Sequence, residues 1–188
     1  MRIIAGTAGG RRLKTLPGLN TRPTADRVKE AIFSVLGTRV LAARALDLFA
    51  GSGALALEAL SRGADHAVVV EKSTRAAAVI RENAKLTGLT SKVSLLTRDG
   101  LIVLRELEGQ VFDLIFLDPP YRQGLAQASL EILAEGNYLA SNGVIIVETS
   151  REEEMPVELG TITLRKQNRY GDTVIWYYQL RETGGREK

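Results

Sequence analysis

The sequence contains no cysteine and only one histidine, His66. Without cysteine the chain has no disulfide bonds and no thiolate nucleophile, and a zinc site built on Cys ligands is excluded. A single histidine leaves no His/Cys metal cluster either, and its position just before an expected strand favours a structural or solvated His66 over a catalytic one. We therefore expect a chemistry that uses no metal ion.

Long apolar runs are missing as well, although hydrophobic residues make up 45% of the 188 residues. No segment approaches the ~18 consecutive apolar residues that a membrane-spanning helix needs. Residues 1–6 lack the apolar stretch of a signal peptide. The length and hydrophobic content are typical of one compact α/β domain. We expect a cytoplasmic protein that is monomeric and makes no membrane contact.

Positive charge is concentrated near the start of the chain, although the formal net charge is only +3. Before residue 30 the only acidic residue is Asp26, whereas the basic residues are Arg2, Arg11, Arg12, Lys14, Arg22, Arg27 and Lys29. Such a cluster suits a polyanion such as a nucleic acid. On charge alone, a solvated basic face is a slightly better explanation.

The beginning and the end of the chain both predict antiparallel hairpins. Residues 2–15 have the pattern of two short strands around a glycine-containing loop, with arginines projecting from the arms. Near the end, residues 161–164 and 173–178 have strand patterns, and a turn-rich segment at 168–172 separates them. Residues 181–188 are polar and are expected to fray.

Between these hairpins, strand and helix patterns alternate. A helix from Thr24 to about Leu36 comes first, with Thr24 as its N-cap. Expected strands cover residues 45–49, 67–70, 93–96, 111–117 and 143–147, and expected helices cover residues 52–61, 73–86, about 101 onward and 125–133. Alternation of this kind predicts a parallel sheet with helices on both faces. We predict a Rossmann-like α/β fold, with a mostly parallel seven-stranded sheet that ends in an antiparallel hairpin.

The fourth expected strand, 111–117, stops at Asp118-Pro119-Pro120-Tyr121. Asp118 precedes a proline and is therefore held extended, and the two prolines fix their own φ angles. Tyr121 adds a flat ring with a polar tip. A rigid carboxylate, a stiff carbonyl and an aromatic ring at a strand's end could hold a planar base by its amino group. A proline pair that merely ends a strand is an equally good explanation of this segment alone.

A second cluster of candidate residues follows the first three strands. In an open parallel sheet, ligands bind outside the carboxyl ends of the strands. Gly51 and Gly53 follow the first strand and allow a tight turn, and Glu71 lies 20 positions after Gly51, at the spacing of an acid that binds ribose hydroxyls. Asp99-Gly100 follows the third strand and could flank an adenine edge. The pattern favours a nucleoside ligand.

Two classes of nucleoside ligand fit this pattern. The spacing Gly51-x-Gly53-x-x-Ala56 satisfies the dinucleotide fingerprint and is compatible with an NAD-dependent oxidoreductase. Asp47, at the end of the first strand, would lie badly beside a pyrophosphate but suits a ligand with an ammonium or sulfonium group. S-adenosylmethionine is such a ligand, and no catalytic His or Lys constellation supports the oxidoreductase.

These residues resemble class I S-adenosylmethionine-dependent methyltransferases, in the amino-methylating branch with an Asp-Pro-Pro-Tyr signature. More specifically, residues 22–30, 46–55 and 58–64 resemble the RsmD family, bacterial enzymes that modify the guanine N2 amine in small-subunit (16S) ribosomal RNA. The resemblance covers nearly the whole chain. Residues 22–30 are the more discriminating part, because many methyltransferases share the first-strand block and the signature.

The resemblance implies a site and a domain organisation. The catalytic residues would be Asp118, Pro119, Pro120 and Tyr121. The cofactor-binding residues would be Arg22, Thr24, Asp47, Phe49, Ala50, Gly51, Ser52, Gly53, Glu71, Lys72, Asp99 and Gly100. The RNA-binding residues would be Arg2, Arg11, Arg12, Lys14 and Arg27. The segments would be an N-terminal hairpin extension at 1–21, a methyltransferase domain at 22–180 and a polar tail at 181–188.

The implied reaction converts S-adenosylmethionine to S-adenosylhomocysteine, with ribosomal RNA as substrate, naked or within an assembled small subunit. The absence of cysteine disfavours cytosine C5 methylation, because that reaction needs a cysteine nucleophile. Methylation of adenine N6 in DNA or RNA stays open, since the signature does not distinguish the two bases. A non-catalytic RNA-binding module with a methyltransferase shell is a further alternative, which the intact signature and glycines disfavour.

Overall fold

The computed structural model describes residues 1–15 and 26–182. The α-helices of this part of the chain are α1 (Asp26–Leu36), α2 (Ala54–Ser61), α3 (Thr74–Thr87), α4 (Gly100–Glu106) and α5 (Leu125–Glu135). The strands are β1 (Arg44–Asp47), β2 (His66–Val70), β3 (Val93–Leu96), β4 (Phe112–Leu117), β5 (Leu139–Ser150), β6 (Glu158–Leu159), β7 (Ile162–Tyr170) and β8 (Thr173–Leu180). Short 3-10 helices cover Gly37–Val40 and Thr90–Lys92.

All these strands form one sheet with the order β3-β2-β1-β4-β5-β8-β7-β6. The pairs among β1 to β5 are parallel, and β8, β7 and β6 add to the sheet antiparallel. The order reverses between β1 and β4, so the carboxyl ends of these two strands flank the crevice where such sheets bind ligands. The predicted α/β fold is confirmed, with one strand more than expected, because the two-residue β6 is too short to show a periodic pattern.

The core has two layers, one on each face of the sheet. Helices α1, α2 and α3 cover one face, where the rings of Phe33 and Phe116 lie 5.9 Å apart. Helices α4 and α5 cover the other face with residues such as Val103, Leu104 and Leu130. Each such side chain, fully buried, stabilises the fold by roughly 1.5–3 kcal/mol. Within the described residues, no helix is long and apolar enough to cross a membrane.

The predicted elements differ from the observed ones mainly at turns. Helix α2 begins at Ala54 rather than at residue 52, because Gly51 and Gly53 have φ angles of 55° and 77° and cannot belong to a right-handed helix. Residues 168–170, expected in a turn, continue strand β7. A two-residue turn at Gly171 and Asp172 is enough to connect β7 to β8.

The N-terminal segment, residues 1–15, is a hairpin-like loop rather than a regular β-hairpin. Its strand pairing consists of one bridge between Arg2 and Arg12, supported by the Ile3 amide donating to the Arg11 carbonyl at 2.9 Å. Ile3, Ala8 and Leu13 are buried in the same core layer as α1 and α2. The expected Thr24 cap and residues 183–188 of the expected tail lie outside the described residues.

Candidate active site

A glycine-containing loop, residues 48–53, leads from β1 into α2. The amide of Ala50 donates to the Val70 carbonyl at 3.0 Å, which ties the loop to β2, and the Gly53 amide donates to the Ala50 carbonyl at 2.7 Å. A Cβ atom at Gly53 would lie 3.3 Å from Ile80, whereas the space in front of Gly51 is open. The loop therefore turns back tightly and leaves its Gly51 side accessible to a ligand.

Glu71 binds this loop directly. Its Oε2 atom accepts a hydrogen bond from the Gly51 amide at 2.9 Å, and its Oε1 atom accepts one from the Ser73 amide at 2.7 Å. The spacing noticed in the sequence thus corresponds to a contact between the ends of β1 and β2. Lys72, the next residue, is exposed.

Asp47 is the most electrostatically unusual residue of the site. Its side chain is buried, its Oδ2 atom accepts a hydrogen bond from the Ala56 amide at 3.2 Å, and its Oδ1 atom has no partner among the described residues. Burial raises the pKa of Asp47 to about 7, the Ala56 hydrogen bond opposes this, and the Glu71 carboxylate adds to it. A ligand with a positive charge near Oδ1 would favour the ionised carboxylate.

Asp99 and Gly100 close the site at the end of β3. The Oδ1 atom of Asp99 accepts from the amides of Leu101 at 3.0 Å and Ile102 at 3.3 Å, so Asp99 is the N-cap of α4. A Cβ atom at Gly100 would lie 2.9 Å from the Leu48 carbonyl oxygen and 3.0 Å from the Phe49 ring. Only glycine lets the start of α4 approach the loop this closely.

The Asp118–Tyr121 corner lies beside the loop. Asp47 pairs with Phe116 on the neighbouring strand β4, and Asp118 is two residues beyond Phe116, directly after the strand ends at Leu117. Strand geometry separates their Cα atoms by about 8 Å. Asp118 is half-buried, Pro119 is buried and Pro120 is exposed. The structure therefore brings the expected catalytic corner to the same edge of the sheet as the expected cofactor residues.

Tyr121 is held by two residues that sequence reasoning missed. Its hydroxyl donates to Oε1 of Glu148 at 2.9 Å and lies 3.3 Å from Oγ1 of Thr173. Burial raises the pKa of Tyr121, and the Glu148 carboxylate raises it further. Glu148 and Thr173 lie 27 and 52 positions away and belong to β5 and β8. No local pattern could have predicted this contact, because it depends on how the strands are ordered.

A cavity of about 350 Å³ adjoins the corner, and its lining residues are Tyr121, Arg122, Ser150, Arg151, Glu152 and Asp172. Arg122 forms an ion pair with Glu152 at 2.6 Å, and its amide donates to Oε1 of Glu153 at 3.1 Å. The other oxygen of Glu153 accepts from the Ser150 amide at 3.0 Å. The segment after Pro120 is thus fastened to the end of β5.

Asn83 is a further residue that the sequence did not reveal. Its side chain is buried, and its amide nitrogen donates to the carbonyls of Ser52 at 2.9 Å and Lys14 at 3.0 Å. Its carbonyl oxygen accepts from the Lys14 amide at 2.8 Å. Asn83 therefore connects the N-terminal segment to the glycine-containing loop.

The expected RNA-binding residues, Arg2, Arg11, Arg12, Lys14 and Arg27, are all exposed. Some have intramolecular partners: Arg2 pairs with Asp26 at 3.1 Å, Lys14 pairs with Glu82, and Arg11 donates to the Leu86 carbonyl. Lys29 does not belong to the basic face suggested by the sequence. Its side chain is buried against Glu58, with 3.6 Å between Nζ and Oε2.

The structure thus collects most of the expected cofactor residues at the carboxyl ends of β1, β2 and β3. Arg22 and Thr24 lie outside the described residues. Among residues 1–15 and 26–182, no group of three or more His, Cys, Asp or Glu side chains could hold a metal ion.

Comparisons with known proteins identify the family. The family described as "Conserved hypothetical protein 95" matches residues 1–179. YlbH of Bacillus subtilis is 38% identical over 183 residues, covering 96% of this chain and 100% of that protein. Ribosomal RNA small subunit methyltransferase D of Haemophilus influenzae is 35% identical over 181 residues, covering 95% of this chain and 93% of that protein.

The solved structure of yhhF from Escherichia coli is 32% identical, with a TM-score of 0.84, covering 96% of this chain and 98% of that one. The chain therefore has the class I methyltransferase fold and belongs to this family, the RsmD family that its sequence resembles.

Proposed function

We propose that this protein transfers a methyl group from S-adenosylmethionine to the exocyclic N2 amine of a guanine in small-subunit (16S) ribosomal RNA. One observation carries the proposal. In a chain of this family, the glycine-containing loop and the Asp118–Tyr121 corner lie together at the carboxyl ends of β1 and β4, where the strand order reverses. The relative from Haemophilus influenzae carries the name of a small-subunit ribosomal RNA methyltransferase.

The residues at the loop fit S-adenosylmethionine, which supplies the activated methyl group when bound. Asp47 has a buried oxygen without a partner among the described residues, and a cationic ligand would stabilise its charge. The open space at Gly51 allows close approach to the backbone. Glu71 stands at the end of β2, where an acid can accept hydrogen bonds from ribose hydroxyls. The other proposed contacts are Arg22, Thr24, Phe49, Ala50, Ser52, Gly53, Lys72, Asp99 and Gly100.

The corner would hold the guanine by its amine. The amine is a poor nucleophile because its lone pair is delocalised into the ring. In this proposal Asp118 and the Pro119 carbonyl accept hydrogen bonds from its N–H groups and direct the lone pair toward the methyl carbon. Correct orientation of two reactants can supply roughly 7–11 kcal/mol of the barrier reduction. Bound S-adenosylmethionine would supply the methyl group, with its carbon–sulfur bond exchanged for a carbon–nitrogen bond to the amine, and Asp118 would be the adjacent acceptor for the amine's proton.

Tyr121 would stack on the flipped-out guanine. Its hydroxyl is already engaged by Glu148, so the ring is held in place before the substrate arrives. Fixing the ring in advance reduces the conformational entropy that base binding would otherwise cost. The exposed cations of the N-terminal segment and Arg27 would contact RNA phosphates, in the cytoplasm, on naked RNA or on an assembled subunit.

Methyl transfer to defined substrates tests the proposal. We expect labelled methyl groups from S-adenosylmethionine to appear as N2-methylguanosine in a 16S RNA transcript or in small subunits purified from cells that lack this protein. Mass spectrometry of 16S RNA nucleosides from cells with and without the protein should show the same difference. Label in N6-methyladenosine would establish the alternative base, and cofactor binding without transfer to either substrate would indicate a non-catalytic module.

A further inference from the structure

Buried polar atoms without partners mark two places in the described part of the chain. The three side-chain atoms of this kind are Asp47 Oδ1, Asn168 Oδ1 and the Tyr177 hydroxyl. Such atoms are costly, and each one in a folded protein calls for an explanation, such as a ligand. Asp47 lies in the proposed cofactor site. The other two lie elsewhere, on β7 and β8.

Asn168 and Tyr177 face the same side of the sheet. Tyr177 pairs with Lys166 across the two strands, and Asn168 pairs with Ile175. Alternate residues of a strand share a face, so Asn168 lies on the Tyr177 side about 7 Å along β7 from Lys166. Tyr177 itself is 2% exposed and belongs to the core layer of α1.

Tyr177 lines a cavity of about 240 Å³ between α1 and the C-terminal strands. Its apolar lining comes from Val35, Leu36 and Val144. Its cationic lining comes from Arg39, Arg165 and Lys166, all of them exposed. We call this cavity and its lining the β8 cavity.

The charges of the β8 cavity favour an anion. Arg165 forms an ion pair with Glu182 at 3.0 Å, so its charge is partly compensated. Within residues 1–15 and 26–182, Arg39 and Lys166 form no ion pair, so two cations are available. Apolar walls and two cations together match a nucleotide: a base for the walls and a phosphate for the cations. Tyr177, whose hydroxyl has no partner among the described residues, belongs to the same lining. The cavity is smaller than the ~300–1,000 Å³ typical of drug-sized ligands, which suits a single base.

We propose that the β8 cavity binds one nucleotide of the RNA substrate outside the target guanine. This inference rests on the proposed function, because it takes RNA as the ligand. Val144 in the cavity pairs with Leu114, four residues before Asp118 on β4. Along the strands, Val144 is therefore about 13 Å from the catalytic corner, and Lys166 on β7 lies about 10 Å further across the sheet, since β8 separates β7 from β5. These distances correspond to roughly four to six stacked nucleotides. One RNA strand can reach both places.

Two variants and one control test the inference. Arg39→Ala/Lys166→Ala removes the two available cations, and Tyr177→Phe removes only the hydroxyl. Arg81→Ala/Arg105→Ala is the control, because it removes the same charge from exposed positions on α3 and α4. RNA affinity is measured against salt concentration by fluorescence anisotropy, with labelled 16S RNA transcript or small subunits, whichever the wild-type protein methylates.

We expect Arg39→Ala/Lys166→Ala to make the negative slope of log affinity against log salt shallower by about 1.4, at ~0.7 per lost contact to single-stranded RNA. Affinity should fall on the order of tenfold near 0.1 M salt. Tyr177→Phe should weaken binding a few-fold without changing the slope. In both cavity variants and in the control, the Kd for S-adenosylmethionine and kcat at saturating RNA should stay unchanged, whereas KM for RNA should rise only in the two cavity variants.

The inference falls if both cavity variants bind RNA like the wild type, or if the control loses as much affinity as Arg39→Ala/Lys166→Ala. Binding of free GMP in the cavity without any effect of these variants on RNA binding would also overturn it. These results leave the proposed function standing, because wild-type methyl transfer is measured separately. A wild-type protein that neither binds nor methylates RNA would contradict both this inference and the proposed function.

Discussion

Asp118 is the residue on which the proposed chemistry depends most directly. The carboxylate stands at the end of a buried strand, and the following prolines restrict the backbone around it. Asp118→Ala should reduce methyl transfer by about 10²–10⁴-fold, as is usual when a positioned proton acceptor is lost. The Kd for S-adenosylmethionine, measured by calorimetry, should stay within about twofold, because the glycine-containing loop is intact.

Asp113→Ala is the matched control for this prediction. Asp113 lies on the same strand, at the opposite end, where its carboxylate accepts from the Arg44 amide at 2.8 Å. Its removal should leave kcat unchanged. If Asp118→Ala turned over at a near-normal rate, the corner would not be the site of transfer.

Asp47 makes a separate residue-scale prediction about pH. Its pKa is about 7 in the folded protein and near 3.8 when exposed, so the folded protein retains a proton that the unfolded chain loses. Between about pH 4 and pH 7, this difference lowers stability as pH rises, by up to ~4 kcal/mol at ~1.4 kcal/mol per pKa unit. Above pH 7 the contribution is constant.

Thermal unfolding of the cofactor-free protein at pH 5 and pH 8 measures this effect. The Asp47→Asn variant has no acidic proton to lose and should show a smaller decrease in Tm over that range than the wild type. An equal decrease in Tm in both proteins would show that Asp47 of the folded protein is already ionised at pH 5. S-adenosylmethionine should bind the variant more weakly, because the variant offers no negative charge.

At the scale of elements, α3 does more than cover the sheet. Asn83 lies on this helix and bonds both the N-terminal segment and the glycine-containing loop. Asn83→Ala would leave the Lys14 amide and carbonyl and the Ser52 carbonyl without their partner. We expect a loss of about 2–4 kcal/mol in the free energy of unfolding, since each unsatisfied buried group costs about 1–3 kcal/mol.

Affinity for S-adenosylmethionine should fall in Asn83→Ala as well, because the loop loses its anchor to α3. Denaturant unfolding and calorimetric titration measure the two effects. Arg81→Ala, an exposed change on the same helix, is the control and should alter neither by much. Unchanged cofactor affinity in a destabilised Asn83→Ala would mean that the anchor supports the fold but not the loop.

At the scale of the whole molecule, hydrogen bonds hold the N-terminal segment against helix α2. The Glu58 carboxylate on α2 accepts from the amides of Ile4 at 2.7 Å and Ala5 at 3.1 Å. The same carboxylate contacts Arg62 at 2.7 Å. The proposed RNA contacts of this segment are therefore presented from a fixed position relative to the active site.

Arg11→Ala/Arg12→Ala tests the N-terminal segment as an RNA contact. Loss of two phosphate contacts should make the negative slope of log RNA affinity against log salt shallower by about 1.4, with little change in S-adenosylmethionine binding. Fluorescence anisotropy across a salt series measures the slope, with Arg81→Ala/Arg105→Ala as the control. An unchanged slope would exclude this segment as the source of the phosphate contacts.

Much of this molecule follows from its sequence, because the signals that specify it are local. The alternation of β1 to β5 with helices, the turn at Gly51 and Gly53, and the proline corner at Asp118 depend only on neighbouring residues. Their convergence at one edge follows from the rule that parallel strands present their carboxyl ends together. The class of fold and most of the proposed site can therefore be predicted from the sequence.

Only the tertiary structure decided which distant residues support these local features. Lys29 looked like part of a basic face, but packing of α1 on α2 buries it against Glu58. Glu148 and Asn83 meet Tyr121 and Ser52 because of strand order and helix packing, across 27 and 31 positions of sequence. The β8 cavity arises in the same way, between α1 and strands far along the chain. Contacts of this kind have no sequence pattern, since hydrogen bonding and burial depend on distance in space rather than on spacing along the chain.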